Sequence, residues 1–213
     1  MPVELHGYRY SVYLRIVAMT LLEKNVGWTH VEVDPFDEPI PESYLALNPF
    51  GRVPTLVHDG FVLYETTAIT RYIDEAFPGV PLQPADPRER ARINQIVAVA
   101  DSYAYWPMVR QVFSHRIFRP AEGTAGDGAA VAEGLKRSAP VLAALDDLAV
   151  GGPFLVGDTL SLADLHFGAM TAYFTMAEEG RSELRCHPKL VAWWTALSAR
   201  PSLITSDPGL PPP

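Results

Sequence analysis

The chain has 213 residues, of which 48% are hydrophobic and 20% are charged, a composition typical of folded globular proteins. Its 25 acidic and 17 basic residues give a net charge of −8, which argues against a nucleic-acid partner. The single cysteine, Cys186, excludes an intrachain disulfide, and six scattered histidines argue against a metal site. Because no apolar stretch reaches the roughly 20 residues that span a bilayer, we expect no membrane association and a cytoplasmic location.

Strand and helix patterns alternate in the first 79 residues. A short apolar strand at 3–6 is followed by apolar residues at helical spacing over 12–22, and strand-like alternation returns at 28–33. Asp59-Gly60 then separates two β-prone runs, which predicts a β-hairpin. A last helical stripe covers 68–76. The residues therefore predict the order β-α-β-loop-β-β-α.

Residues 80–87 carry three prolines and predict a connection between two domains. We therefore predict an α/β domain over 1–79, a linker over 80–87 and an all-helical domain over 88–213. Beyond the linker, apolar residues recur at helical spacing in four stretches, which begin at Ile93, Val141, Leu162 and Val191. Pro107 lies in the first stretch and predicts a kink there.

Ser11 stands where the first helix begins. A serine in this position is a good N-cap, and its hydroxyl could instead face the sulfur of a ligand. Tyr8, Tyr10 and Tyr13 are rival hydroxyls within six positions of the chain.

The Val53-Pro54 pair leads directly into a predicted strand. A cis bond here would turn the chain and leave the Val53 backbone N–H and C=O facing outward, ready to pair with an extended peptide. A plain turn into the strand is the alternative.

Glu65 and Thr66 open the helix that follows the hairpin. They are good capping residues, which is one interpretation. In the other interpretation, the Thr66 hydroxyl and the amides of the first turn bind a carboxylate, because the helix dipole favours an anion at that end.

Two further motifs lie in the helical half of the chain. Ser161 and Asp164 form a capping box, which predicts a structural role for the aspartate. Basic residues interrupt an aromatic stretch from Tyr103 to Phe118. These aromatic side chains could be core, or some could line an apolar pocket with a basic edge.

Three motifs in this order resemble the cytosolic-type glutathione S-transferases over nearly the whole chain. They are YLALNPFGRVPTL followed by YETTAITRYI over 44–73, LVGDTLSLADL over 155–165, and HPKLVAWWTALSARPS over 187–202. The spacing from Ser11 to Glu23-Lys24 is similar to that of the serine-type branches (theta, phi and zeta), and we expect a bacterial-type member. The resemblance implies a thioredoxin-like N-terminal domain (β-α-β-α-β-β-α), an all-helical C-terminal domain and a homodimer.

The resemblance also implies roles for individual residues. Ser11 would hold the glutathione thiolate, with Tyr8 and Tyr10 as alternatives. The Val53 backbone would pair with the cysteinyl part of glutathione, and Pro54 would be the cis-proline. The glutathione site would be completed by residues at its two charged ends, namely Arg52 at the glycine carboxylate, and Glu65 and Thr66 at the γ-glutamyl group. The co-substrate pocket would be lined by Tyr8, Tyr10, Tyr103, Tyr105 and Arg110.

The function implied is transfer of glutathione to a small electrophile, with glutathione as co-substrate and no metal. A non-catalytic binding protein on the same fold is one alternative. A glutathione-dependent thiol oxidoreductase is another, but that branch uses a cysteine at the first helix, and Cys186 lies far from it in the sequence.

Overall fold

The computed structural model describes residues 2–212 and contains two compact units. The first unit comprises the residues up to Pro81 together with Thr205–Pro208. The second comprises Leu82–Ile204 and the residues from Gly209 onward.

The first unit is built on a four-stranded mixed sheet with the strand order β2-β1-β3-β4. Its strands are β1 (Val3–Gly7), β2 (Thr29–Glu32), β3 (Thr55–His58) and β4 (Phe61–Tyr64). β1 pairs in parallel with β2 and antiparallel with β3, and β3 pairs antiparallel with β4. The helices are α1 (Val12–Glu23), α2 (Glu42–Leu45) and α3 (Thr66–Ala76).

This order confirms the thioredoxin-like β-α-β-α-β-β-α fold. The residues alone predicted a loop where α2 stands. With four residues, α2 is too short to show a hydrophobic period, so its sequence reads as part of a proline-rich loop.

The core of the first unit consists of buried apolar side chains from the sheet, α1 and α3. Alternation along β1 and the three-to-four-residue spacing along the helices turn these side chains toward one another. They are Val3, Leu5, Leu14, Val17, Leu21, Leu56, Ile69 and Ile73. Burial of each such side chain contributes about 1.5–3 kcal/mol, so this core stabilises the elements that lead to the site.

The described residues of the second unit form helices and no extended sheet. The helical elements are α4 (Pro87–Val99), a π-helical segment (Ala100–Phe118), α5 (Arg119–Ala121), α6 (Gly128–Leu148), α7 (Leu162–Phe174), α8 (Glu178–Leu184), α9 (Pro188–Ser198) and α10 (Pro201–Thr205). The all-helical C-terminal domain is thus confirmed. Within residues 2–212, no helix is both long and apolar enough to cross a membrane.

The helix α4 begins at Pro87, the last residue of the predicted linker. The carboxylate of Asp86 accepts hydrogen bonds from the backbone N–H groups of Arg88 and Glu89, at 2.9 and 3.0 Å. Proline is favoured in the first helical position because its missing N–H would have no helical partner there. The proline that suggested a connection therefore starts a helix.

The stretch around Pro107 is helical, but with hydrogen bonds to the fifth preceding residue from 100 to 118. Such π-helical hydrogen bonding is rare in long runs, and side-chain periodicity gave no sign of it. Some of its aromatic side chains are core, since Phe113 is buried and stacks on Tyr173 of α7 with ring centroids 4.5 Å apart. Others, such as Tyr103 and Trp106, are exposed.

Candidate active site

Strand pairing brings three predicted site segments to one edge of the sheet. His6 of β1 pairs with Thr55 of β3, and Thr55 pairs with Tyr64 of β4. The end of β1, the start of β3 and the end of β4 therefore lie side by side. These are the points from which the chain runs toward Ser11, back toward Val53-Pro54, and on toward Glu65-Thr66.

Gly7 shows how closely two of these segments approach. A Cβ atom added at Gly7 would lie 2.8 Å from Leu14 Cδ1 of α1 and 3.2 Å from Val53 Cβ. Only a residue without a side chain fits this close contact. The first turn of α1 and the Val53-Pro54 loop therefore approach the same backbone position.

Ser11 is the half-buried N-cap of α1. Its hydroxyl accepts a hydrogen bond from the Leu14 backbone N–H at 3.4 Å, which is long for such a bond. Its own backbone N–H donates to the Tyr8 carbonyl at 2.8 Å. The hydroxyl thus lies at the positive end of the α1 dipole and is only weakly engaged by the helix.

The rival tyrosines form an aromatic group just before Ser11. The Tyr8 and Tyr10 rings meet edge to face with centroids 5.3 Å apart, and Tyr8 also contacts Phe36 at 6.1 Å. Tyr13 lies inside α1.

An ion pair holds the Tyr8–Tyr10 loop to β2. The Arg9 backbone N–H and side-chain Nε donate to the two carboxylate oxygens of Glu32, at 2.9 and 2.8 Å. The hydrogen bond to Glu32 raises the pKa of Arg9 above its ordinary value. The pair is solvent-exposed, so its role is to fix the loop conformation more than to add stability.

The loop before β3 is fixed by side chains that the sequence analysis did not single out. The Tyr44 hydroxyl and the Asn48 amide both donate to the Arg52 carbonyl, at 2.6 and 2.7 Å. The Tyr44 hydroxyl also lies 3.0 Å from the Thr55 hydroxyl. Burial raises the pKa of Tyr44, so its phenol stays a hydrogen-bond donor. Both residues lie within the family motif over 44–73, which is the sequence feature that could have pointed to them.

This network determines the setting of Val53 and its neighbours. The Val53–Pro54 bond is cis, and Pro54 is buried. Arg52 is exposed, with its carbonyl directed inward to Tyr44 and Asn48. The Arg52 guanidinium group therefore lies on the outer side of a loop whose backbone is held firmly.

The start of α3 differs from an ordinary capped helix. Glu65 occupies the N-cap position with φ 72° and makes no side-chain capping hydrogen bond. A positive φ costs about 1–2 kcal/mol in a residue with a side chain. Thr66 follows as the first helical residue and is only 8% exposed. A strained residue thus precedes a helix start that its side chain does not close.

The start of α7 has the opposite character. The buried Asp164 carboxylate accepts hydrogen bonds from the Ser161 backbone N–H and hydroxyl, at 2.8 and 2.6 Å. It also accepts from the Leu155 backbone N–H at 2.7 Å and the Trp193 indole N–H at 2.9 Å. Burial raises the pKa of Asp164, and these hydrogen bonds oppose the rise. The predicted capping box is confirmed as a structural centre of the helical unit.

The predicted co-substrate residues of the helical unit all lie on the π-helical segment. Tyr103 is 63% exposed, while Tyr105 and Arg110 are half-buried. Within the described part of the chain, no three His, Cys, Asp or Glu side chains are placed to hold a metal ion.

The first unit therefore has a thioredoxin-like fold that gathers a hydroxyl at one helix start, a cis-proline loop and a second, open helix start. The second unit, which follows it in the chain, is built of helices.

Comparison with known proteins identifies the class more closely. Residues 5–81 match the family model of the glutathione S-transferase N-terminal domain, and residues 105–201 match that of the C-terminal domain. Glutathione S-transferase F13 of Arabidopsis thaliana is 32% identical over 99% of this chain and 97% of its own length. The chain therefore belongs to the glutathione S-transferase family.

Solved structures agree with this assignment. Glutathione S-transferase III in its apo form has a TM-score of 0.86 at 30% identity, and the match covers 100% of both chains. Glutathione S-transferase I from mais, in complex with an atrazine glutathione conjugate, has a TM-score of 0.83 at 27% identity, covering 97% of this chain and 96% of that one.

The predicted enzyme class is thereby confirmed: the chain is a glutathione S-transferase, and glutathione is the co-substrate of this family. The Arabidopsis and mais relatives are plant proteins and give no support to the expected bacterial type.

Proposed function

We propose that this transferase is of the serine type, and that the Ser11 hydroxyl stabilises the thiolate of bound glutathione. The thiolate attacks an electrophilic carbon, a carbon–sulfur bond forms, and the leaving group departs with its electron pair. The observation that carries the proposal is the place of Ser11, a half-buried helix cap that follows β1, next to the strand ends that lead to Val53-Pro54 and Thr66.

The energetics of this arrangement are sufficient. A free thiol has a pKa of about 8.5, and lowering it by ~2 units needs roughly 2.7 kcal/mol of differential stabilisation. One hydrogen bond to a charged acceptor contributes about 1.5–3 kcal/mol, and a helix N-terminus adds about 0.3–1 kcal/mol. Ser11 can supply the first and the start of α1 the second.

The test compares the rival hydroxyls directly. We expect Ser11→Ala to raise the pKa of bound glutathione by about 1–2 units, because one charge-assisted hydrogen bond is lost. Tyr8→Phe and Tyr10→Phe are expected to leave that pKa unchanged. The pKa is read from thiolate absorbance as a function of pH. A rise in a tyrosine variant with none in Ser11→Ala would assign the chemistry to that tyrosine.

The ends of glutathione are assigned by charge. We propose that its γ-glutamyl group binds at Glu65 and Thr66, where the open start of α3 favours a carboxylate and Glu65 accepts the ammonium group. The Val53 backbone pairs with the cysteinyl part. Arg52 meets the glycine carboxylate through its exposed guanidinium group.

We propose that the electrophile is a small apolar molecule. Tyr103, Tyr105 and Arg110, which all lie on the π-helical segment, are the residues that bind it. Substitution of Tyr103 and Tyr105 by alanine is expected to raise KM for the electrophile and leave KM for glutathione unchanged. A panel of electrophiles, assayed with the wild type and both variants, checks this and identifies the reaction subtype.

We propose that the enzyme is a homodimer, as the resemblance implies. Phe50 supports this, because this large apolar residue is 67% exposed on the loop before β3. An isologous contact closes with two-fold symmetry. Light scattering is expected to give twice the chain mass of 23.4 kDa, and a mass equal to that of one chain would overturn the proposal.

A further inference from the structure

Arg15 is a buried charge in α1 that the proposed chemistry does not use. It is 3% exposed and shares its part of the helix with buried apolar residues such as Leu14 and Ile16. A guanidinium group removed from water is costly unless it is paired and hydrogen-bonded. The position of Arg15 therefore depends on the groups that compensate it.

Two of these groups come from the far end of the sequence. Arg15 Nη2 lies 3.3 Å from Asp207 Oδ2, and Arg15 Nε donates to Ser206 Oγ at 3.4 Å. Residues 205–208 belong to the first unit by their contacts, although they follow α10 in the chain. The proline-rich segment after α10, which cannot be helical, thus supplies partners to the first helix.

Arg15 is also connected to Ser11. Its backbone N–H donates to the Ser11 carbonyl at 3.0 Å, in the first hydrogen bond of α1. The next amide toward the helix start, that of Leu14, donates to the Ser11 hydroxyl. A shift of Arg15 would therefore be transmitted to both oxygens of Ser11 within one helical turn.

We propose that residues 206 and 207 hold the first turn of α1 through Arg15 and so position the Ser11 hydroxyl toward the thiolate. Arg15 and Asp207 are positioning residues, and this inference rests on the proposed role of Ser11. The Asp207 carboxylate fixes the guanidinium group, the guanidinium group fixes the helix turn, and the turn fixes the hydroxyl.

The main test replaces the carboxylate of Asp207, whose side chain is 49% exposed, so that the fold is spared. In Asp207→Asn we expect kcat to fall about 3- to 10-fold and the pKa of bound glutathione to rise by about 0.5–1 unit, part of the value of one charge-assisted hydrogen bond. KM for glutathione should stay within about twofold of the wild-type value, because Asp207 makes no proposed contact with glutathione. Hydrogen exchange at the Leu14 and Arg15 amides should accelerate.

Two variants serve as controls. Asp207→Glu keeps a carboxylate and should retain most of the wild-type kcat and thiol pKa. Asp147→Asn removes an exposed carboxylate from α6, changes the net charge equally, and should change neither quantity.

The double variant separates this inference from the role of Ser11. If Asp207 acts through Ser11, Asp207→Asn should add no further pKa rise in the Ser11→Ala background. An unchanged thiol pKa in Asp207→Asn, or equal rises in both backgrounds, would overturn the positioning role and leave the role of Ser11 intact. A lowered pKa would also overturn it, since Asp207 would then act as a charge opposing the thiolate. If Ser11→Ala itself leaves the pKa unchanged, the proposed role of Ser11 is wrong, and positioning through Ser11 falls with it.

Discussion

The starts of α3 and α7 combine similar residue types in opposite ways. At α7, a hydroxyl residue and an acid three positions later close the helix with buried hydrogen bonds, and Asp164 accepts from four donors. At α3, the acid and the hydroxyl are adjacent, the acid is exposed with a positive φ, and its side chain makes no capping hydrogen bond.

The difference shows how one local motif serves either stability or binding. A helix start whose amides are satisfied within the protein adds to folding stability and leaves nothing for a ligand. A start left open, and reached through a strained residue, costs stability until an anion arrives. The following predictions test this contrast, from the largest expected effect to the smallest.

The largest effect is expected at the closed helix start. Both oxygens of the Asp164 carboxylate accept hydrogen bonds. In Asp164→Asn an NH2 group replaces one of them and faces an N–H or O–H donor, so a buried hydrogen bond is lost. We expect the free energy of unfolding to fall by about 3 kcal/mol or more. Denaturant unfolding measures it. Asp146→Asn is the control. The Asp146 carboxylate accepts one hydrogen bond, from the Leu190 N–H, and its substitution is expected to lower the free energy of unfolding by about 1 kcal/mol.

Removal of the hydroxyl at the open helix start should change glutathione binding and not folding stability. Thr66→Val removes a hydroxyl that we propose binds the γ-glutamyl carboxylate, so glutathione affinity should fall about 10- to 100-fold. Thr66→Ser keeps the hydroxyl and should therefore bind glutathione with nearly the wild-type affinity. Calorimetry measures the Kd.

Thr70→Val provides the matched control on the same helix. Thr70 lies one turn beyond Thr66, and its hydroxyl donates to the Thr67 carbonyl. It should leave glutathione affinity unchanged. An equal loss of affinity in Thr66→Val and Thr70→Val would show that the effect comes from the helix and not from the bound carboxylate.

The strain at Glu65 should be measurable by itself. Glu65→Gly is expected to raise the free energy of unfolding by about 1 kcal/mol, because glycine adopts a positive φ without steric cost. The same change should weaken glutathione binding. Asn25→Gly, at another exposed residue with positive φ, should also stabilise the protein but leave binding unchanged. Destabilisation by Glu65→Gly would contradict the strain interpretation.

The smallest effect is the pH dependence of the Asp164 contribution. Burial raises the pKa of this carboxyl above its ordinary value of 3.8. The folded state therefore holds its proton to higher pH than the unfolded state, and the stability from this group is lost as pH rises through the folded pKa. The difference in unfolding free energy between wild type and Asp164→Asn should accordingly be larger at low pH. A difference in unfolding free energy that grows with rising pH would contradict a raised pKa of Asp164.

The local rules of the sequence predicted most of the elements because each depends on neighbours in the chain. Asp59-Gly60 gave the β-hairpin, the apolar period gave α1 and α3, and Ser161 with Asp164 gave the closed start of α7. Glu65 and Thr66 could be recognised as a helix start, but local chemistry left both capping and ligand binding open.

Tertiary structure decided what depends on distant partners. Strand register, not sequence spacing, brings to one sheet edge the strand ends that lead to Ser11, Val53 and Thr66. The roles of Tyr44 and Asn48 appear only when the Arg52 carbonyl is seen between them. Likewise, Arg15 lies in a helical pattern that gives no sign of its partners. These are Ser206 and Asp207, and Ser206 is 191 positions away in the sequence. A helical period reports which side is apolar, while a buried charge is compensated by whatever the folded chain brings to it.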